Sequence, residues 1–304
     1  MKKIREAAKR LAIDGEHEQV QSILLASLSQ EKTIIAYHNL ADLLKEDERF
    51  NEALYYARKA VAMQPQTYYP YALLGELYMQ AGQIEEAQQW LEYAYTLYES
   101  PVVAHNLAYI YKRQRRLSEA ASYFIRSYET EDYGLQYAVE CFILADDLAN
   151  AQQWVEVIKH DKERFIGAVE LAELYARLGQ YAEAAKWYGE GYDAYAHCGE
   201  WIEDYVWVLH QLEDKEQINA VRTAFIEEMN AELANLSEEA QAYEWTAEEI
   251  QQEECRLKAS IERVKVAHLQ VGIVSESRPY IASRCFTFFC PMHDQGFGEQ
   301  EVDV

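Results

Sequence analysis

The stretch Ile34–Pro65, IIAYHNLADLLKEDERFNEALYYARKAVAMQP, decides the fold. Counted from Ile34, Tyr37, Leu40, Ala41 and Leu44 fall at positions 4, 7, 8 and 11, and Ala53, Ala57 and Ala60 at 20, 24 and 27. Apolar residues stepped by threes and fours put one stripe on each of two helices. Small residues at positions 8 and 20 let the pair approach closely, while bulky ones fill the spaces between them. The same set recurs. From Tyr68 it reads Tyr71, Leu74, Gly75, Tyr78, Gly82, Ala87, Leu91 and Ala94. From Pro101 it reads Ala104, Leu107, Ala108, Tyr111, Ala120 and Phe124, and from Phe165 it reads Ala168, Leu171, Ala172, Tyr175, Gly179, Ala184 and Tyr188. Two weaker copies carry Ile4, Ala7, Ala8, Leu11, Gly15, Val20 and Leu24, and Ala138, Val139, Phe142, Ala151 and Val155 with a shortened first helix. Steps between the position-20 residues (Val20, Ala53, Ala87, Ala120, Ala151, Ala184) are 33, 34, 33, 31 and 33. One such pair cannot bury its apolar face alone, so neighbours must stack into an all-α solenoid.

In these residues the chain resembles the tetratricopeptide repeat family. The resemblance implies a right-handed superhelical solenoid of antiparallel helix pairs. Six pairs are expected within residues 1–200, at about 1–33, 34–67, 68–100, 101–131, 132–164 and 165–197. Pro65, Pro70 and Pro101 fall at the junctions, where helices end or begin.

After residue 200 the pattern loosens. Trp201, Tyr205, Val208 and Leu212, then Ile218, Val221 and Phe225, read as a divergent hairpin within 201–272. Thr246 and Glu249 form a capping-box signature, with Trp245 set to staple onto Ile250. The helix that follows carries Ile250, Leu257, Ile261, Val264 and Val271 on one stripe, interrupted by Glu254 and His268. Covering the apolar end of the solenoid is the favoured reading of that stripe, and a coiled-coil seam is its rival. Residues 273–304 form an irregular tail whose Tyr280–Phe289 stretch is aromatic and β-prone. Such a segment docks on the solenoid or is captured by a partner. Cys285, Cys290 and His293 match no standard zinc spacing, so no metal and no cofactor are expected.

The chain has 304 residues and a formal net charge of −24. Residues 1–134 hold 15 basic and 19 acidic side chains, residues 135–304 hold 13 and 33. Acidity of that order disfavours nucleic acid and anionic membranes and suits either a basic partner or plain solvation. Lys112, Arg113, Arg115 and Arg116 are a local exception, read either as an anion-holding turn or as solvated cations beside helix C-termini. No run of 18 apolar residues and no signal peptide is found, and five scattered cysteines fit reduced thiols in a cytoplasm. The first repeat is read from residue 1, so an added N-terminal effector domain is not expected.

The resemblance also implies a site. In this family, positions 2, 5, 6, 9, 12 and 13 of each unit line the concave groove where a peptide or partner helix lies. Here the candidates are His38, Asn39, Asp42 and Lys45; Tyr69, Glu76 and Met79; and His105, Asn106, Tyr109, Lys112 and Arg113, with Glu46 and Gln80 beside them. Two units share the string His-Asn-Leu-Ala, at His38–Ala41 and His105–Ala108. An Asn amide offers a peptide backbone both a donor and an acceptor, but Asn at this place could equally serve its own hairpin. The Lys and Asn of carboxylate-clamp members are not matched, since His38, Asp42 and Val102 stand there. A ligand ending like the chain's own Glu299–Val304 is therefore not expected.

No Gly-rich phosphate loop, H-E-x-x-H or G-x-S-x-G motif is present, so no enzyme is expected. Two functional readings remain: a cytoplasmic scaffold, monomeric or weakly dimeric, that binds a protein or peptide in its groove, and a switch whose own tail occupies the groove until a partner displaces it.

Overall fold

The computed structural model describes residues 2–130, 134–163, 166–195, 197, 199–270, 272, 273, 280–283 and 286–288. Of the positions read above, Phe165, Cys198, Val271, Cys285, Phe289, Cys290, His293, residues 299–304 and the side chain of Leu11 lie outside that description. Among the described residues all regular structure is helical: fifteen α-helices, one short 3-10 turn and no strand. They are α1 (Lys2–Asp14), α2 (His17–Gln30), α3 (Ile34–Glu46), α4 (Phe50–Val61), α5 (Tyr69–Gln80), α6 (Ile84–Leu97), α7 (Pro101–Arg113), α8 (Leu117–Thr130) and α9 (Leu135–Leu144). There follow α10 (Leu148–His160), α11 (Ala168–Arg177), α12 (Tyr181–Ala194), α13 (Gly199–Gln211), α14 (Lys215–Ala242) and α15 (Ala247–Val266). The chain divides into two compact units, one of residues 1–138 with 278–304 and one of residues 139–277.

In the first unit the pairs α3/α4, α5/α6 and α7/α8 pack antiparallel, and α4 and α6 also pack against α5 and α7. Their close approach follows from the small residues. Ala41, Ala53, Ala87, Ala108 and Ala120 are fully buried. A Cβ added at Gly75 would stand 2.5 Å from Leu91 Cγ, so no larger residue fits there unless Leu91 shifts.

One turn closes six successive hairpins of the chain. Glu48, Gly82, Arg115, Asp146, Gly179 and Glu213 all have positive φ, between 57° and 73°. Each donates its N–H three residues back, and the next residue donates five back, at 2.8–3.1 Å. This is the Schellman closure, which satisfies carbonyls at the end of the first helix. Only two of the six positions are glycine, so four ordinary side chains are held in the left-handed region by packing on either side.

In the second unit, Ala151, Ala172 and Ala184 repeat the small-residue rule. Tyr175 OH donates to Glu156 Oε1 at 2.9 Å, as Tyr111 OH donates to Glu92 Oε1 at 3.0 Å in the first. The long α14 and α15 lie side by side, and α15 packs against α13. Leu257, Ile261 and Val264 of the α15 stripe are buried within the chain, whereas Ile250 is half-buried and Val266 exposed. The capping box forms: Glu249 N–H donates to Thr246 Oγ1 at 3.3 Å, and Thr246 N–H donates to Glu249 Oε2 at 2.7 Å. Trp207 Nε1 donates to the Gln270 carbonyl at 3.0 Å and Arg263 pairs with Glu203, which fixes the stretch after α15 onto α13.

Candidate functional site

Helices α3, α5 and α7 of the first unit are buried on nearly every face, although each is the first helix of a pair. His38, Asn39, Asp42, Lys45, Glu76, His105, Asn106 and Lys112 are polar and yet almost inaccessible. Polar groups lose water on burial and need partners. Most of these partners come from residues 280–288 of the chain's own tail.

The tail is held by its main chain. Asn106 Nδ2 donates to the Ala282 carbonyl at 2.9 Å, and Ala282 N–H donates to Asn106 Oδ1 at 2.8 Å. His105 Nε2 lies 3.0 Å from the Tyr280 carbonyl. Six residues on, the pattern repeats: Asn39 Nδ2 donates to the Phe288 carbonyl at 3.2 Å, Phe288 N–H donates to Asn39 Oδ1 at 2.8 Å, and His38 Nε2 lies 2.8 Å from the Phe286 carbonyl. Each His-Asn string thus grips residue i through both main-chain groups and residue i−2 through its carbonyl. Among the described residues, both amide atoms of each Asn are committed to the tail rather than to their own hairpin. From α7 to α3 the tail runs opposite to the order of the repeats, and two repeats correspond to six tail residues.

A carbonyl partner requires each His Nε2 to carry a hydrogen. Burial pushes the His38 imidazole down to about 4, against a smaller opposing pull from Asp42, so at neutral pH it is the neutral, Nε2-protonated tautomer.

Side chains of the tail fill the groove. Ala282 and Phe286 are fully buried, and Thr287 and Phe288 nearly so, while Tyr280 and Ser283 keep an exposed edge. The Phe288 ring stands edge-on to His38 at 4.9 Å and to Tyr69 at 5.6 Å, and Phe286 lies 6.2 Å from Tyr69. Tyr280 stacks over His105 at 4.7 Å, and His105 also meets Phe124 and Tyr137.

Between the two clamps lies a buried charge cluster. Lys45 Nζ is 3.2 Å from Asp42 Oδ1 and 3.4 Å from both Glu76 Oε1 and Glu46 Oε1, and it donates to Ser283 Oγ at 3.0 Å. The ammonium also lies 5.6 Å from the Phe286 ring centre, a cation–π contact. Thr287 Oγ1 donates to Asp42 Oδ2. Burial opposes the charge on Lys45, but the Asp42 and Glu76 carboxylates outweigh it and hold the ammonium well above its ordinary range. Burial pushes Glu76 up to about 7, with Lys45 pulling it back.

The sequence-predicted residues divide into two groups. His38, Asn39, Asp42, Lys45, Tyr69, His105 and Asn106 touch the tail directly, and Glu76 does so at Ser283 as well as through Lys45. Met79 is buried on α5, and Gln80 Nε2 donates to Glu76 Oε1 at 3.4 Å. Tyr109 and Arg113 form a pair of their own, the guanidinium 5.9 Å from the ring. The cationic turn is not one cluster. Lys112 is buried with its Nζ 5.8 Å from the Tyr137 ring, Arg115 occupies the left-handed turn position, and Arg116 is paired with Glu119. Tyr137 has no mark in the sequence because it lies in the weakest repeat, and Phe124 reads there only as a packing residue of a second helix, not as a neighbour of the groove.

Tetratricopeptide repeat models match residues 44–93 and 103–132. No curated protein matches the sequence. A solved tetratricopeptide repeat protein from Parabacteroides merdae is similar at TM-score 0.54 and 12% identity, over 87% of this chain and 98% of that one. The Pseudomonas aeruginosa protein pilF aligns at TM-score 0.44 and 18% identity, over 85% of this chain and 98% of its own. Among the described residues, no helix is long and apolar enough to cross a membrane. With its repeats matched in two places on an all-α helical-repeat solenoid, the chain carries tetratricopeptide repeats, which support a protein-interaction scaffold in general.

Proposed function

We propose that the groove of α3, α5 and α7 is a peptide-binding site that reads an extended segment through its backbone, and that the chain's own tail is its resident occupant. The observation that carries this reading is the pair of two-bond Asn clamps on Ala282 and Phe288. Main-chain recognition of this kind accepts many sequences, and the side-chain pockets between the clamps add selectivity. The role is binding rather than catalysis, in a reducing cytoplasmic setting. Cys255 is a free, exposed thiol, which fits that setting.

An occupant in cis makes the scaffold a switch. The tail is present at the high effective concentration of a tethered ligand, so a partner segment binds only in proportion to the fraction of open grooves. Weakening the tail therefore raises apparent affinity for a ligand in trans.

The test uses the full-length chain carrying Phe286→Ala and Phe288→Ala, which removes the two buried rings but leaves the solenoid intact. A fluorescein-labelled peptide of residues 278–290, with Cys285→Ser and Cys290→Ser, is titrated in and followed by anisotropy. Saturable binding that is tighter than to the wild-type chain, and abolished by adding Asn39→Ala and Asn106→Ala, supports the reading. Equal binding with and without the two asparagines contradicts it.

A further inference from the structure

Asp42, Lys45 and Glu76 form a buried ionic cluster whose function is unexplained by the backbone clamps. Their side chains are 2%, 3% and 0% exposed. Burying such a cluster costs desolvation that mutual attraction offsets only if the remaining lone pairs find donors. One of those donors is the tail itself. Thr287 is 2% exposed and gives its hydroxyl hydrogen to Asp42 Oδ2, while Ser283, at the exposed edge, accepts from Lys45 Nζ at 3.0 Å.

From this we infer that the groove has a hydroxyl-selective subsite at Asp42, and that its ligands are peptides with an unphosphorylated Thr or Ser placed between two buried aromatic residues, as Thr287 lies between Phe286 and Phe288. The inference rests on the peptide-groove reading and names the ligand class of that site. Three facts define the selection. A valine has nearly the shape of threonine but no hydrogen for Asp42, so a buried carboxylate oxygen loses its donor. A serine retains the donor and gives up only a methyl group. An acidic side chain or a phosphothreonine brings one or more negative charges against Asp42 and Glu76 at a site closed to water, with Lys45 already committed to both carboxylates. Phosphorylation of the threonine in any occupant would accordingly eject it.

The ring positions add a second filter. Phe286 stands 5.6 Å from the Lys45 ammonium and Phe288 edge-on to His38, so an aromatic on each side of the hydroxyl residue completes the fit. The subsite lies beside the α3 clamp, two residues or fewer from the atoms that His38 and Asn39 grip, so register there is fixed by the backbone and the threonine cannot slide to avoid Asp42.

The experiment compares labelled 278–290 peptides, again with Cys285→Ser and Cys290→Ser, on the full-length Phe286→Ala, Phe288→Ala chain. Thr287→Val is expected to weaken binding by about ten- to a hundredfold, the size of one hydrogen bond to a charged acceptor. Thr287→Ser should stay within about threefold, and Thr287→Glu and the Thr287 phosphopeptide should each lose at least about a hundredfold. Ser283→Ala, at the open edge, should cost less than about fivefold. Repeating the valine comparison on a chain that also carries Asp42→Ala, checked by circular dichroism, should shrink the Thr-to-Val ratio below about threefold. If the Thr287 parent peptide fails to bind at all, the peptide-groove reading itself fails. If it binds but valine or phosphothreonine binds as well as threonine, the hydroxyl subsite is overturned and the groove reading stands. A valine penalty that persists undiminished without Asp42 also overturns it. Should Asp42→Ala disrupt folding, the peptide series alone decides.

Discussion

Replacing Asn39 by Ala removes one clamp and leaves the other untouched, which makes its consequence local and measurable. The side chain is 2% exposed and makes two bonds to Phe288, at 3.2 Å to the carbonyl and 2.8 Å from the N–H. Each such bond contributes about 0.5–1.5 kcal/mol net, and a buried main-chain group left without a partner costs about 1–3 kcal/mol. Phe288 is only 6% exposed, so water cannot freely replace the amide. The docking of residues 286–288 should lose about 2–4 kcal/mol, which is about a 30- to 1000-fold rise in the population of the locally open tail. Native-state amide exchange reads that population directly. The Phe288 amide should exchange faster by that factor in Asn39→Ala, while the Ala282 amide, held by Asn106 Oδ1, should change by no more than a few-fold. In Asn106→Ala the two amides should exchange roles. Unchanged exchange at Phe288, or an equal rise at both tail amides and throughout α3, would refute the argument that each Asn acts as an independent clamp.

Three further outcomes follow from packing and charge. Gly75→Ala places a Cβ against the buried Leu91 and should lower stability by about 1–2 kcal/mol despite a better helix former, whereas Gly189→Ala meets only Tyr205 OH at 3.5 Å and should be neutral or stabilising in thermal denaturation. Glu76, facing Lys45, Asp42, Ser283 and Gln80, has its folded pKa raised from the ordinary 4.5 to about 7, so it favours the fold fully below pH 4.5 and loses that contribution as pH rises through 7. The unfolding free energy of wild type minus that of Glu76→Gln should therefore fall by about 3 kcal/mol between pH 5 and 8, and a flat difference would show that the carboxylate is not desolvated. Thr246→Ala removes the capping box of α15 and should cost about 1 kcal/mol, seen as faster amide exchange in the first turn of that helix.

The solenoid was legible because the constraint that builds it is steric and periodic. Ala41, Ala53, Ala87 and Ala120 are small wherever two helices touch, and the chain has no way to disguise that rule. The turns were only half legible. Gly82 and Gly179 announce a left-handed residue, but Glu48, Arg115, Asp146 and Glu213 adopt the same conformation with no sequence mark, because the flanking helices impose it. The groove positions came from resemblance to a family, and the doubled His-Asn string at His38 and His105 singled out two of its units. What a periodicity argument could not supply was the occupant. Residues 280–288 repeat nothing, and their register is fixed by main-chain groups that every residue possesses. Composition left one place open: Lys112, Arg113, Arg115 and Arg116 are close in sequence, and the end of α7 and its turn send them to different surroundings.

The most direct test of the account asks whether a peptide in trans and the tail in cis share one site. Amide exchange of Ala282 and Phe288 would be measured in the wild-type full-length chain, with and without saturating unlabelled 278–290 peptide carrying Cys285→Ser and Cys290→Ser. Displacement predicts that both amides of the chain's own tail lose protection as the peptide binds, while the amides of α3, α5 and α7 keep theirs. A peptide that binds with the tail amides still protected would place its site elsewhere and contradict the central claim.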